Sequence, residues 1–200
     1  MTPADVDGVL AFLRAAEGLK THVRSGYTSA GEAESVAAHS WRVCLFALAL
    51  RPALPGVDFA RLLAMCVVHD LGEAIGGDVP APEQARRLAA DPGAGKAEAE
   101  RADLMTLLAP LPAAVRDELA GLWDEYEAAA TPEARLAKAL DKLETLLQHV
   151  QGRNPPGFDY RFNLDYGRRY TEGPPIVAEL RARLDAETAR RAEQEDGRAG

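Results

Sequence analysis

Apolar residues recur three and four positions apart along most of the chain, and this spacing predicts α-helices. Clusters of proline and glycine interrupt the spacing and predict turns between the helices. The segments between the clusters predict helices near residues 4–20, 32–50, 58–72, 82–91, 96–109, 112–129, 132–151 and 175–192. At Thr131-Pro132 a capping threonine precedes a proline in the first helical position. The pattern therefore predicts an all-α protein, a single-domain helical bundle over residues 1–185.

The composition favours the same fold class. Alanine occurs 38 times, whereas valine, isoleucine and threonine together occur 22 times. Alanine loses no side-chain entropy in a helix, while β-branched residues do. Residues 186–200 are charged and almost free of large apolar side chains, so we expect them to fray as a C-terminal tail.

Charge and cysteine content restrict the function classes. The net charge of −8 argues against a nucleic-acid polymer as the main ligand, because proteins that bind one usually present a basic face. A small anion stays open, since one pocket needs only one or two arginines. Cys44 and Cys66 lie within apolar runs and predict reduced thiols in the cytoplasm. No apolar run reaches the ~18 residues that span a bilayer, and no secretory signal is recognisable at the N-terminus.

Polar residues interrupt the apolar faces of three predicted helices. His39 follows Val36 by three residues and lies on the same stripe. A dense apolar run ends abruptly in His69-Asp70, and Asp141 lies at the edge of a leucine stripe. A buried carboxylate costs several kcal/mol unless it is paired or binds a metal. Three helices thus each carry a metal-ligand type of residue at a position where packing favours an apolar one.

Each of these residues has a simpler explanation when it is taken alone. A single histidine on an apolar face is usually a core residue with a hydrogen-bonded ring, as we expect for His22 and His149. Asp141 beside Lys142 could form a surface ion pair. The combination of two imidazoles and two carboxylates is harder to explain by packing, and it suits Mn²⁺, Co²⁺, Fe²⁺ or Zn²⁺.

Several local strings resemble one family, the HD-domain metal-dependent phosphohydrolases, and within it the 5′-deoxynucleotidase branch. His39, His69-Asp70 and Asp141 follow the pattern H…HD…D. The segment 34–40 is similar to "ESVAEH", with Ala38 where Glu is usual, and 69–80 resembles "HDxxExxxGD(I/V/L)P". Segments 122–127 and 140–143 resemble "LWxEYE" and "LDKL", and residues 19–27 resemble "LK…RTGW" with Tyr27 in place of Trp. The resemblance covers about residues 9–150.

The resemblance implies a fold of the HD-domain type and a single divalent ion. It assigns the ion to four ligands: His39, His69, Asp70 and Asp141. Glu73 lies four residues after His69, on the same face of a helix, and is placed to order the attacking water or to move a proton. The resemblance also places Asp78 near the ribose or a metal-bound water.

Substrate contacts are predicted from the glycine-containing segment before the second helix. Arg24 is the candidate for the phosphate, because its planar guanidinium matches phosphate oxygens bidentately. Tyr27 is a candidate for packing on the base or ribose, with a role as a loop anchor as the alternative. Glu125 is a further candidate for the pocket.

The resemblance implies a phosphohydrolase that prefers deoxyribonucleoside 5′-monophosphates. One alternative keeps the metal site and changes the substrate, as in a nucleotide pyrophosphohydrolase or a phosphodiesterase. The acidic pair "HDxxED" of one such branch is missing, because Ala74 follows Glu73, and the "GYP" string of another is absent. A second alternative is a non-catalytic regulatory module stabilised by its metal. The alanine- and leucine-faced helices also permit a homodimer.

Overall fold

Helices dominate the computed structural model, which describes residues 1–80, 83, 86 and 96–199. The α-helices are α1 (Pro3–Ala16), α2 (Val36–Leu50), α3 (Phe59–Val68), α4 (Glu73–Gly76), α5 (Lys96–Leu108), α6 (Ala113–Ala128), α7 (Pro132–Gln151), α8 (Phe162–Asp165) and α9 (Pro175–Ala199). Short 3-10 helices span Glu17–Lys20, Arg51–Ala53 and Arg168–Tyr170. The all-α prediction is confirmed, while the helix predicted near 82–91 lies almost wholly outside the described residues.

The central element is α7, which packs against α2, α3, α6 and α9. Three leucines of its predicted apolar stripe are buried in the core: Leu136, Leu140 and Leu143. The helix begins as its sequence predicts, because the side chain of Thr131 accepts a hydrogen bond from the backbone N–H of Ala134. Polar residues on this central helix are therefore held rigidly among the surrounding elements.

A small antiparallel hairpin is the main difference from the predicted elements. Strands β1 (Val23–Tyr27) and β2 (Ala33–Ser35) pair over residues that the sequence pattern partly assigned to a helix at 32–50. Gly31 between the strands adopts a φ of +87°, which favours glycine. The side chain of Ser35 then caps α2, so the helix begins at Val36. A three-residue strand is too short for its alternation to be recognised in the sequence.

The predicted frayed tail at 186–200 also differs from the structure. Helix α9 continues to Ala199, and the predicted boundary at residue 185 falls inside it. Thr188 and Ala192 are buried, and Arg191 Nε donates a hydrogen bond to the carbonyl oxygen of Val150, 2.9 Å away. Small side chains allow the helix to pack closely on the bundle without large apolar residues. Among the described residues, no helix combines the length and apolar character needed to cross a bilayer.

Candidate active site

The four predicted metal ligands lie near one another inside the bundle. His39 comes from the first turn of α2, His69 and Asp70 follow the end of α3, and Asp141 comes from the middle of α7. His39 Nε2 lies 3.3 Å from His69 Nε2, 3.3 Å from Asp141 Oδ1 and 3.7 Å from Asp70 Oδ2. His69 Nε2 lies 3.1 Å from the same Asp70 oxygen. The structure thus places His39, His69 and Asp70 within reach of one ion, and Asp141 lies beside His39.

The hydrogen bonds of the two rings show that this donor set fits a cation. The Nδ1 of His69 lies 2.9 Å from the carbonyl oxygen of Cys66, which can only accept, so Nδ1 carries the proton and Nε2 a lone pair. The Nδ1 of His39 is hydrogen-bonded to the carboxylate of Glu144. The two Nε2 atoms therefore face each other and two carboxylate oxygens. Atoms bound about 2.0–2.2 Å from one ion are roughly 3–4 Å apart, so the separations among His39, His69 and Asp70 fit a divalent ion, and Asp141 lies beside His39.

Asp141 is oriented by two residues that the sequence analysis did not assign. The hydroxyl of Tyr126 donates to Asp141 Oδ2 at 2.8 Å, and Lys142 Nζ lies 2.8 Å from the same oxygen. This leaves Oδ1 facing His39. Burial acts to raise the pKa of Asp141, but Lys142 and the hydrogen bond from His39 hold it well below its usual value. Asp141 is therefore ionised, as a metal ligand must be.

Glu144 is a second residue that the sequence analysis missed. It is fully buried, binds His39 on one side and accepts a hydrogen bond from Arg42 Nε on the other. Burial acts to raise the pKa of Glu144, but His39 and Arg42 lower it overall. Its position three residues after Asp141 on the α7 face was the available sequence signal.

A cavity of about 610 Å³ opens above this cluster, and most predicted site residues line it. They are Arg24, His69, Asp70, Glu73, Asp78 and Asp141. His39 lies beneath the cavity and is fully buried. The segment after α7 forms one wall of the cavity through α8 and residues 166–170. The cavity therefore exposes metal-ligand candidates and charged groups to one small ligand.

Arg24 extends from β1 to the metal-ligand cluster. Its Nη1 donates to Asp70 Oδ2 at 3.1 Å, and its Nη2 donates to Thr145 Oγ1 at 3.1 Å. Burial alone would lower the pKa of Arg24, but Asp70, Asp78, Asp141 and Glu73 raise it above its usual value. A permanent positive charge is thus fixed beside the candidate metal ligands.

Glu73 begins α4 at the cavity wall. Among the described residues, no hydrogen-bond partner reaches its buried Oε2. Burial, followed by the nearby charges of Asp70 and Asp78, raises the pKa of Glu73 to about 10. Its carboxyl group is therefore protonated at neutral pH in the protein without an ion.

Two predicted pocket residues lie elsewhere. Tyr27 is not among the described residues that line the cavity, and its carbonyl oxygen accepts a hydrogen bond from Gln148, as a strand anchor would. Glu125 also lies outside the cavity lining, where its carboxylate is paired with Arg61 and accepts a hydrogen bond from Thr131. The structure thus does not bring either side chain to the candidate active site.

The helical fold and the His₂Asp₂ cluster under a polar cavity define a metal-dependent phosphohydrolase. A model of the HD domain matches residues 16–181, and the chain belongs to this family. The 5′-deoxynucleotidase HDDC2 of Mus musculus is 31% identical over 191 residues, which cover 90% of this chain and 88% of the relative. The protein of the same name from Homo sapiens is 34% identical over 148 residues, which cover 70% of this chain and 66% of that relative.

A solved structure shows the same fold. The crystal structure of a predicted metal-dependent phosphohydrolase from Magnetospirillum magnetotacticum MS-1 superimposes with a TM-score of 0.76 at 27% sequence identity. The match covers 94% of this chain and 97% of that one. The HD-domain type of helical bundle expected from the sequence is confirmed.

Proposed function

We propose that this protein hydrolyses deoxyribonucleoside 5′-monophosphates to the deoxynucleoside and phosphate. The observation that carries the proposal is the convergence of His39, His69, Asp70 and Asp141 beneath a cavity that also holds Arg24 and Glu73. The relatives named 5′-deoxynucleotidases support the substrate class. The cavity suits one small nucleotide rather than a nucleic-acid polymer.

The metal would be held by the two Nε2 atoms and the facing oxygens of Asp70 and Asp141. Mn²⁺, Co²⁺, Fe²⁺ and Zn²⁺ all accept such a mixed imidazole and carboxylate set. A bound divalent ion supplies a water of lowered pKa and polarises a phosphoryl oxygen. Cys66 and Glu144 fix the ring tautomers that this binding requires.

Arg24 is proposed to bind the phosphate of the substrate. Its guanidinium is anchored by Asp70 and Thr145, so its charge is already in place before the substrate arrives. A positive charge that is already in position stabilises the negative charge that develops on the phosphoryl group, and no side chain has to be reoriented during the reaction. Asp78, on the same cavity wall as Glu73, is proposed to lie near the sugar or a water of the ion.

Glu73 is proposed to carry the proton that hydrolysis requires. Its pKa of about 10 keeps the carboxyl group protonated, and Arg24 acts in the opposite direction by stabilising the carboxylate. The group can therefore give a proton to the leaving 5′ oxygen and remain as a carboxylate near Arg24.

The sugar preference is tested with matched deoxyribo- and ribonucleoside 5′-monophosphates in the presence of Mn²⁺ or Co²⁺. We expect about ten- to a hundredfold higher kcat/KM for the deoxy substrate, because a 2′-hydroxyl buried without a partner costs roughly 1–3 kcal/mol. The 3′-monophosphates are the matched controls and should not be hydrolysed. Equal values for a pair would refute the deoxy preference. A lack of phosphate release from every monophosphate would favour a pyrophosphohydrolase, a phosphodiesterase or a non-catalytic module.

We also propose that the protein forms a homodimer through an apolar stripe on α2. Trp41, Leu45 and Leu48 follow one another at helical spacing and are 63%, 41% and 47% exposed. Trp41→Glu should shift the mass measured by light scattering from dimer to monomer. A wild-type protein that is monomeric at micromolar concentration would contradict the proposal.

A cytoplasmic location is proposed as well. Both cysteines are free thiols, Cys66 is buried and burial raises its pKa above the usual value. Such thiols fit a reducing compartment. Fractionation of cells that produce the tagged protein tests this location, and recovery outside the cytoplasm would contradict it.

A further inference from the structure

The cavity extends beyond the metal-ligand cluster along one face of α7. Asp141, Thr145 and His149 follow one another at four-residue intervals, and all three line the cavity. This spacing places His149 two helical turns from Asp141, about 12 Å along the helix axis. A ligand bound at the cluster can therefore lie along this face and reach His149.

The polar groups at the His149 end of the cavity are only partly satisfied. His149 Nδ1 lies 3.1 Å from Asn163 Oδ1, which accepts, so Nδ1 carries the proton and Nε2 is an acceptor. Burial lowers the pKa of His149, so the ring is neutral at physiological pH. Asn163 is 1% exposed, and its amide nitrogen has no hydrogen-bond partner among the described residues. One acceptor and one buried donor thus belong to two residues that contact each other and line the cavity.

The other end of the same helix face differs in this respect. The ammonium group of Lys138 lies 2.6 Å from Glu127 Oε1 and 4.0 Å from the centre of the Tyr126 ring. Its charge and donors are already engaged. A buried donor without a partner destabilises the protein, so the unsatisfied pair is the better location for a polar ligand group.

We propose that His149 and Asn163 bind the polar edge of the nucleobase, an inference that rests on the proposed nucleotide substrate. A 5′-nucleotide with its phosphate near Asp141 has its base at the end furthest from the ion, in the direction of His149. Enzymes that bind a single base read its Watson–Crick edge by hydrogen bonds and pack its faces against aromatic or apolar side chains. Phe162 lines the cavity next to Asn163 and provides such a surface.

The same pair accounts for a substrate range that includes several bases. Each of the four bases presents a donor and an acceptor next to each other on its Watson–Crick edge. One acceptor on His149 and one donor on Asn163 therefore favour the presence of a base over its absence, with little preference among bases. These contacts with the base should strengthen substrate binding, and so lower KM rather than raise kcat.

The test compares thymidine 5′-monophosphate with 2-deoxyribose 5-phosphate, which has the same phosphate and sugar but no base. Asn163→Leu and His149→Phe remove the polar atoms while keeping side chains of similar bulk. We expect each variant to lower the ratio of the two kcat/KM values about tenfold, mainly through a higher KM for the nucleotide. The control is Tyr170→Leu, at the Lys138 end of the cavity, which should leave the ratio unchanged.

Several outcomes would overturn the inference. An unchanged ratio in both variants, or an equal loss of both substrates, would show that the pair is only structural. A ratio that falls in Tyr170→Leu instead would place the base at the opposite end. Failure of the proposed function is distinguishable, because the wild-type protein would then hydrolyse neither substrate.

Discussion

Glu144 and Asp141 hold the His39 ring from opposite sides, Glu144 at Nδ1 and Asp141 at 3.3 Å from Nε2. Both carboxylates belong to α7 and are three residues apart. One helix thus supplies both a metal-ligand candidate and the group that sets the tautomer of another. This relation makes Glu144 as informative to mutate as the ligands themselves.

Glu144→Gln should weaken metal binding about 10- to 100-fold, because the carboxylate that orients the ring and raises its basicity is lost. Metal affinity can be measured by titration of the metal-free protein with Co²⁺ or Mn²⁺. The matched control is Glu127→Gln, since Glu127 lines the same cavity but pairs with Lys138. Equal affinities for Glu144→Gln and the wild type would contradict the role given to Glu144.

Asp141→Ala should lose bound metal and phosphatase activity together, because it removes one of four converging ligands. Elemental analysis and phosphate release from thymidine 5′-monophosphate measure the two effects. Asp124→Ala removes a carboxylate paired with Arg101 at the surface and should retain both. A purified Asp141→Ala protein with full metal content and turnover would show that the ligand assignment is wrong.

Removal of the metal should lower the melting temperature of the wild type. A ligand that binds only the folded protein stabilises it by mass action, so the folded state loses this stabilisation when the ion is removed. Thermal melts with and without a chelator, followed by re-addition of metal, measure the shift. Asp141→Ala should show almost no shift, and an equal shift in that variant would mean that the stabilising ion binds elsewhere.

Glu73→Gln should keep its metal and lose about 10²–10⁴-fold in kcat, the usual contribution of a general acid or base. Glutamine keeps the size and a hydrogen-bonding end but cannot exchange a proton. Metal analysis and steady-state kinetics on the same preparation separate the two effects. Turnover within a few-fold of the wild type would remove Glu73 from the mechanism.

The same substitution should stabilise the metal-free protein at high pH. The pKa of Glu73 is raised from 4.5 to about 10, chiefly by burial, so between these values the folded protein binds a proton that the unfolded chain has released. The free energy of unfolding therefore falls as the pH rises through this range. Melts in chelator at pH 4.5 and pH 8 should show a smaller decrease for Glu73→Gln than for the wild type. Parallel decreases would mean that Glu73 is not held protonated.

The sequence was sufficient to predict those site residues whose polar side chains interrupt an apolar pattern. His39 and Asp141 interrupt apolar stripes, and His69-Asp70 ends an apolar run, so their grouping was predictable from the pattern and the family resemblance. Glu144 was missed because its three-residue spacing from Asp141 is informative only once the histidine ring that it binds is known. The pairing of His149 with Asn163 depends on how the chain after α7 folds back, which local spacing does not encode.

The secondary structure likewise divides into elements that the sequence predicted and elements that it did not. Most helices were predicted because their periodicity extends over several turns. The hairpin was missed because its strands are short. The last helix was predicted only to about residue 192, because the charged residues that follow have no apolar spacing, yet the helix continues to Ala199. Tyr27 was placed near the substrate by its string, whereas its strand directs the backbone toward Gln148.

The uninterrupted course of α7 from Pro132 to Gln151 restricts how this protein can diverge. Each residue of a helix turns the next by about 100°, so deletion of a single position between Asp141 and His149 would direct His149 away from the cavity. Substitutions along this helix can alter what the cavity binds, whereas any insertion or deletion rotates all the following side chains relative to the cavity. We therefore expect lineages that acquire new substrates to vary the chain after Gln151 by insertion and α7 only by replacement.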